Sequence, residues 1–400
     1  MNMKHAMLAT AIGTTLAIAA TANAQTLSSL GVPPGWTESS AMAVSDDGMT
    51  VVGFGLSAAG LRSFRWTAAG GFVDVTPFFG GEYPQARGIS PNGTVAVGTV
   101  QTAEGQRAFR WTAGGGMQNL GVLPRGTSSH ANAVSGENSV VVGSHSSDEG
   151  MRAFRWTSAT GIQELGVLPG TSYSVAYGVS ANGGVIVGVS GDEAFRWTSR
   201  DGMVQLDRLP GGITDSAEAY AVNADGSVVV GWSEGVAFRW TADRGMQSLG
   251  LLPESTATAG EAVSGDGRTV GGASVDPTTP VRAILWRESI GMVDLKEYLT
   301  DIGANTAGWQ LHKVKGVSYD GRTIVGFGTL GGQKRAFRVT GLPKACRADM
   351  NGDGVLNIFD FLEFQNLFAA GDPRADFNYD GLFDIFDFLE FQNAFAAGCP

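Results

Sequence analysis

Four hundred residues with 59 Gly, 14 Pro and only 16% charged side chains exceed one typical domain and fall in an all-β class. The net charge of −11 is uneven: ten Asp and Glu against two Arg put −8 on the stretch from Cys346 to Pro400 and leave −3 for everything before it. That distribution excludes the basic footprint of a nucleic-acid or anionic-membrane binder, and no segment after the first 24 residues is long and apolar enough to span a bilayer.

Residues 1–24 read as a secretory signal peptide. Lys4 stands in a short basic region, an apolar run follows from Ala6 to Ala20, and Ala22-Asn23-Ala24 forms an A-x-A cleavage site before Gln25. The mature chain is expected to be exported and soluble.

From there to Cys346 the chain repeats itself. Phe-Arg-Trp-Thr recurs at 64–67, 109–112, 154–157, 195–198 and 238–241, with degenerate copies at 284–287 and 337–340. Ahead of each copy stand an Ala-Val-Ser phrase and a valine-rich run ending in glycine: Gly53, Gly98, Gly143, Gly188, Gly231, Gly272 and Gly326. Between those two phrases lie hairpin dipeptides such as Asp47-Gly48, Asn92-Gly93 and Asp225-Gly226. A fourth strand, such as Met117 to Leu123 or Met246 to Leu252, ends in Leu-Pro. Four short strands per unit, seven times over, predict a seven-bladed β-propeller across residues 25–341. Leu30-Gly31-Val32-Pro33 copies the fourth strand at the N-terminus, and none follows Val339. The N-terminal strand is therefore expected to complete the last blade and close the ring. The repeated Ala-Phe-Arg-Trp-Thr, Leu-Gly-x-Leu-Pro and Val-Val-Gly phrases resemble the bacterial extracellular HAF-repeat family. That resemblance implies secretion and a repeat architecture, and no particular reaction.

Chemistry is sparse in this body. The recurring Arg65, Arg110, Arg155, Arg196, Arg239 and Arg338 could meet acidic sugars, but their presence in nearly every blade points to a shared packing solution. Gly326-Phe327-Gly328-Thr329-Leu330-Gly331 matches a dinucleotide fingerprint in letters only, because a strand phrase follows it. His130, His145 and His312 lack ligand spacing and read as solvated loop residues. Trp36, Trp232 and Trp309, outside the repeated slot, read as core or rim packing or as a sugar platform. Uniform blades leave few positions special to one blade. An aromatic-lined pocket or a carboxylate cluster at one channel mouth is the feature that would mark an enzyme.

After a linker at 342–347, residues 348–400 contain one phrase twice. Oxygen-bearing side chains occupy loop positions 1, 3, 5, 9 and 12 as Asp349, Asn351, Asp353, Asn357 and Asp360, and again as Asp376, Asn378, Asp380, Asp384 and Asp387. Glycine stands at position 6 in both, and Val355 and Leu382 at position 7 offer backbone carbonyls. Such a loop supplies the six to eight oxygens that calcium takes, so two calcium ions are expected. Each loop runs into an apolar pattern of helical period closing at Gly371 or Gly398. Two loop-then-helix units with aspartate at position 12 resemble a dockerin domain, and the Gly-Cys ending resembles the dockerin-like C-terminal modules of secreted bacterial proteins. The resemblance implies a cohesin-like or other surface or extracellular protein partner, met through the helix after each loop and through loop positions 10 and 11. These are Ile358, Phe359, Ile385 and Phe386, where cellulosomal relatives often carry small polar residues; the alternative is that they pack the two helices together. Cys346 and Cys399 flank the module. A disulfide between them would stabilise by about 4 kcal/mol through chain entropy, the rival being attachment of lipid or protein at Cys399.

The sequence thus reads as a secreted, non-catalytic binding or scaffold protein: a propeller recognising an extracellular ligand, with polysaccharide one possibility, and a calcium-loaded tail for docking. The alternative is an exported polysaccharide-active enzyme carried by the same tail.

Overall fold

In the computed structural model, the structure describes residues 25–75, 81–136, 140–211, 215–276, 280–378 and 382–398. The expected signal peptide, Asp380 and Cys399 lie outside them. Among the described residues the strands form seven four-stranded antiparallel sheets, the blades of a β-propeller. Six blades take their strands consecutively, beginning with Ser40–Val44, Thr50–Ser57, Gly60–Thr67 and Gly71–Asp74. In the seventh, Thr26–Gly31 pairs antiparallel with Gln333–Thr340, so the first strand closes the ring as the sequence implies.

The repeated phrases each have a mechanical task. The Phe of Phe-Arg-Trp-Thr is fully buried in six blades (Phe64, Phe109, Phe154, Phe195, Phe238 and Phe337), and Ile284 replaces it in the other. The Arg points away and reaches the next blade. Arg65 Nε donates to the Gly93 carbonyl at 3.2 Å and Arg338 Nη2 to that of Gly48 at 2.8 Å, while Arg196 and Arg338 lie over the Trp240 and Trp66 rings. These arginines therefore join blades rather than meet ligand. The serine of Ala-Val-Ser ties off the first hairpin: Ser45 Oγ donates to Asp47 Oδ1 and accepts from the Thr50 amide, with Gly48 at φ +70° completing the turn.

Outer strands are shorter than the sequence suggests, Gly116–Asn119 and Gly245–Ser248 for example. The Leu-Gly-x-Leu-Pro phrase leaves the sheet no later than its glycine, whose carbonyl accepts a hydrogen bond from the neighbouring blade. Ser129 Oγ donates to Gly121 O, Ser174 Oγ to Gly166 O, Thr258 Oγ1 to Gly250 O and, across the closure, Ser39 Oγ to Gly31 O.

The histidines are on strands, not in solvated loops. His145 is buried with Nε2 2.8 Å from Glu164 Oε1, and His312 donates from Nδ1 to the Val281 carbonyl. Burial of flanking apolar residues in each sheet outweighs the local polarity that suggested loops. Trp309 is core, edge-on to Phe337, and the Gly326–Gly331 match runs from one strand into a hairpin with no helix following.

The seventh unit inserts α1 (Leu295–Asp301), and the chain ends in α2 (Ile358–Ala370), a 3-10 turn Pro373–Ala375 and α3 (Ile385–Ala397). The helices pack through phenylalanines: Phe364 and Phe391, equivalent residues of the two copies, stack at 4.4 Å and 14°. The connecting segment is packed rather than free, with Leu342, Ala345 and Cys346 buried. The Tyr298 hydroxyl donates to Gly352 O at 3.0 Å and Arg374 Nη1 to Ile290 O at 3.4 Å, seating the module on the sixth and seventh units.

Candidate binding channel

The seven inner strands follow the pattern small-x-small-Val-Ser, with Ile89, Asn223 and Val314 as departures, and x differs in every blade but two. It is Met42, Arg87, Asn132, Tyr177, Tyr220, Glu261 and Lys315. In all seven blades x is also the residue at which the ladder slips: pairing jumps from Ala41 to Ala43, Ala86 to Gly88, Ala131 to Ala133, Ala176 to Gly178, Ala219 to Ala221, Gly260 to Ala262 and Val314 to Gly316. A bulge leaves one residue out of the ladder and re-aims its side chain. Here it aims all seven at one cavity of about 520 Å³ on the propeller axis.

The bulge also explains the invariant glycine opposite it. A side-chain carbon on Gly53, Gly98, Gly143, Gly188, Gly231, Gly272 or Gly326 would lie closer than 3.0 Å to a carbonyl oxygen of the inner strand, those of Ser40, Gln85, His130, Val175, Glu218, Ala259 and Lys313 respectively. Hydrogen replaces that carbon, and the strands close up.

Chemistry is distributed unevenly round the ring. On one arc Lys313 Nζ lies 2.9 Å from Glu261 Oε1, and Lys315 Nζ bonds Oε2. Burial disfavours the Glu261 charge, but the lysines outweigh it and hold its pKa below the usual carboxylate range. On the opposite arc Arg87, Asn132, Tyr177 and Tyr220 follow in order. The two tyrosine rings are 5.4 Å apart at 60°, and Asn132 Nδ2 donates to the Ala176 carbonyl. Glu218, two residues before Tyr220, stands beside both phenols: burial raises its pKa while the hydroxyls oppose. Burial, then Glu218, pushes both phenols above their ordinary value. Burial, and then the Arg87 charge, lowers the His130 pKa.

Reading the units for sameness conceals this ring. Its signal is the one letter in a seven-times-repeated phrase that changes chemistry. The mouth is not uniform, contrary to the expectation of blades with few special positions.

The residues expected to ligate metal form two matching loops. Asp349 is buried; Oδ2 accepts from Gly354 N at 2.9 Å, and Oδ1 has no hydrogen-bond donor among the described residues. Burial, with the Asp360 and Asp353 charges, raises the Asp349 carboxyl to about 6. Asn351 Oδ1 accepts from Asp353 N, and Asp353 Oδ1 from Val355 N. The buried Asp360 accepts from Asn357 N at 2.8 Å, and Asp387 from Asp384 N at 2.9 Å. Asn357 and Asp384 cap α2 and α3, and Asn378 N donates to Asp387 Oδ1. Among the described residues no group of three or more His, Cys, Asp or Glu side chains is placed to hold a metal ion; Asn side chains and carbonyls, as at Val355 and Leu382, fall outside that set. Asp376 is half-buried at the head of the second loop.

Ile358, Phe359, Ile385 and Phe386 are exposed, at 62%, 63%, 60% and 59%, so they do not pack the helices together. Cys346 is disulfide-bonded and buried. No helix among the described residues is long and apolar enough to cross a membrane.

No protein-family model matches the sequence, nor does any curated protein compared with it. Among solved structures the chain is similar to an oligogalacturonate lyase from Vibrio parahaemolyticus at 10% identity and a TM-score of 0.51, covering 79% of this chain and 93% of that one. It is also similar to TolB from Acinetobacter baumannii at 12% identity and a TM-score of 0.39, covering 74% and 81%. At these identities the likeness speaks to the fold: the chain is a seven-bladed β-propeller followed by short C-terminal helices.

Proposed function

We propose that this is a secreted binding protein whose propeller takes up an extracellular ligand at the ring of bulge residues, and whose C-terminal module docks it to a surface or extracellular protein. One observation carries the reading: in all seven blades the position that varies most in chemistry is the position the bulge turns into the channel. A scaffold with no ligand has no use for arginine, asparagine, tyrosine, glutamate and lysine at equivalent sites. Closure by the first strand holds the blades together, so little ordering is needed when ligand arrives. Export rests on the signal-like residues 1–24.

A second reading has its own support. The tyrosine pair with Glu218 is an aromatic-lined, asymmetric feature beside a carboxylate of raised pKa, which suits a general acid or base acting on polysaccharide. Mixing the mature chain with a panel of polysaccharides, and scoring both retention on insoluble material and release of soluble sugar, separates the two. Retention without release is expected, and Tyr177→Ala with Tyr220→Ala should abolish it. Release abolished by Glu218→Gln would replace the binding reading with the enzyme.

The tail reads as a calcium-dependent module. Asp349 Oδ1 is a buried acceptor with no donor among the described residues, in a loop where three aspartates converge, and a divalent cation would satisfy both the atom and the repulsion. Asp349, Asn351, Asp353, Asp360 and the Val355 carbonyl would hold one ion, and the matching residues of the second copy another. The exposed Ile358, Phe359, Ile385 and Phe386 suit a cohesin-like or other protein partner. Calorimetry with calcium chloride is expected to read two ions per chain, and none after Asp353→Ala with Asp380→Ala, while the propeller's melting transition persists. Undiminished calcium uptake by that variant would sink the proposal.

A further inference from the structure

The charges facing the channel do not balance locally. Lys313 and Lys315 share Glu261 and are neutralised in part by it. Arg87 has no carboxylate partner among the described residues; its one side-chain hydrogen bond runs from Nη2 to Gln85 Oε1 at 3.3 Å. That bond uses one of the two Nη2 hydrogens, and the other, with Nη1 or Nε beside it, completes an edge with which a guanidinium grips a two-oxygen anion. Neighbouring His130, its proton affinity lowered first by burial and then by the Arg87 charge, stands within the field of that guanidinium.

Beside Arg87 the next three slots offer different chemistry. Asn132 spends its amide nitrogen on the Ala176 carbonyl, which leaves Oδ1 to accept from a hydroxyl. Tyr177 and Tyr220 then present two phenols inclined to each other, with faces for an apolar ring surface and hydroxyls already bonded to Glu218. An anion fork, an amide acceptor and an aromatic pair along one arc suit a compact molecule having a carboxylate, hydroxyls and an apolar face. The cavity volume lies within the ordinary range for small-ligand sites.

We infer that the ring binds an acidic saccharide, with the carboxylate of a uronic acid residue on Arg87 and its sugar ring against Tyr177 and Tyr220. This rests on the ring being a ligand site and names the class of ligand.

The test titrates the mature full-length chain with three probes by calorimetry: a hexuronate tetrasaccharide, the same tetrasaccharide methyl-esterified at its carboxyls, and tetraglutamate. The acid saccharide is expected to bind at least ten-fold more tightly than its ester, with no saturable binding of tetraglutamate. Arg87→Gln should lose at least ten-fold in affinity for the acid and erase its advantage over the ester. Arg87→Lys, keeping charge without the fork, should fall between, and Arg200→Gln, a surface change, should match the parent. Equal affinity for acid and ester, or an unaffected Arg87→Gln, overturns the acidic assignment. If that equal binding is lost in Tyr177→Ala, the ring remains the ligand site. Binding of tetraglutamate alone, or of none of the probes, also overturns it, and the ring itself then falls only if polysaccharide retention is indifferent to Tyr177 and Tyr220.

Discussion

Gly188→Ala is expected to lower the midpoint of thermal unfolding by about 6 to 12 °C, whereas Gly202→Ala lowers it by about 2 to 4 °C at most. Both add one methyl group. At Gly202 the backbone is left-handed, at φ +70°, but nothing lies within 4 Å of the new carbon, so only conformational strain of about 1 kcal/mol arises, partly offset in the unfolded chain. At Gly188 the φ is ordinary and the obstacle is space: the carbon would overlap the Val175 carbonyl oxygen and meet the Phe195 ring at 2.8 Å. Neither neighbour can yield, one being backbone pinned by the bulge and the other a buried core ring. Overpacking of that kind costs about 3 kcal/mol. Calorimetric scans of the two variants give the answer, and a Gly188→Ala that melts with Gly202→Ala would show that the bulge relaxes freely.

Removing residues 25–31 should have a larger effect still, abolishing the cooperative melting transition at ordinary temperatures. Their strand holds five register pairs with Gln333–Thr340, and Thr26 Oγ1 lies 2.6 Å from Thr340 Oγ1. Leu30 packs with Ala41, Val51, Phe64, Val325 and Ala336, across the seam between the last blade and the first. Loss of the buried Leu30 at about 2 kcal/mol, the half-buried Leu27 at about 1 kcal/mol and several ladder bonds at about 1 kcal/mol each matches the whole stability of a typical domain. The exposed edge of Gln333–Thr340 should also drive association. A synthetic Thr26–Gly31 peptide at millimolar concentration is expected to restore part of the transition. A truncated chain melting within about 2 °C of the parent would mean that the other six blade contacts hold the ring unaided.

Much of the scaffold was legible because repetition turns local patterns into architecture. Asp47-Gly48 and its counterparts marked the hairpins, Phe64 and its equivalents marked the cores, and the copy of a fourth strand at Leu30 foretold the closure. The channel ring was not read, since the bulge falls between small residues such as Ala41 and Ala43, where a one-residue slip in the alternation does not stand out. Only aligning the seven phrases exposes Arg87, Asn132 or Glu261 as different letters in one slot. His145 looked polar enough for a loop, and the buried strand around it proved stronger. Nothing local in Tyr298 or Ile290 announced that they would seat the C-terminal helices, because that contact joins segments more than fifty residues apart in the chain.

The pairing of a free slot with a fixed glycine divides labour within every blade. Change Met42 and the channel presents something new while its sheet stays as it was; change Gly53 and the sheet suffers while the channel's lettering is unaltered. Seven such slots behave like the pins of a cylinder lock, each resettable alone. A lineage carrying this fold can therefore explore new ligands by single substitutions, without passing through chains that fail to fold.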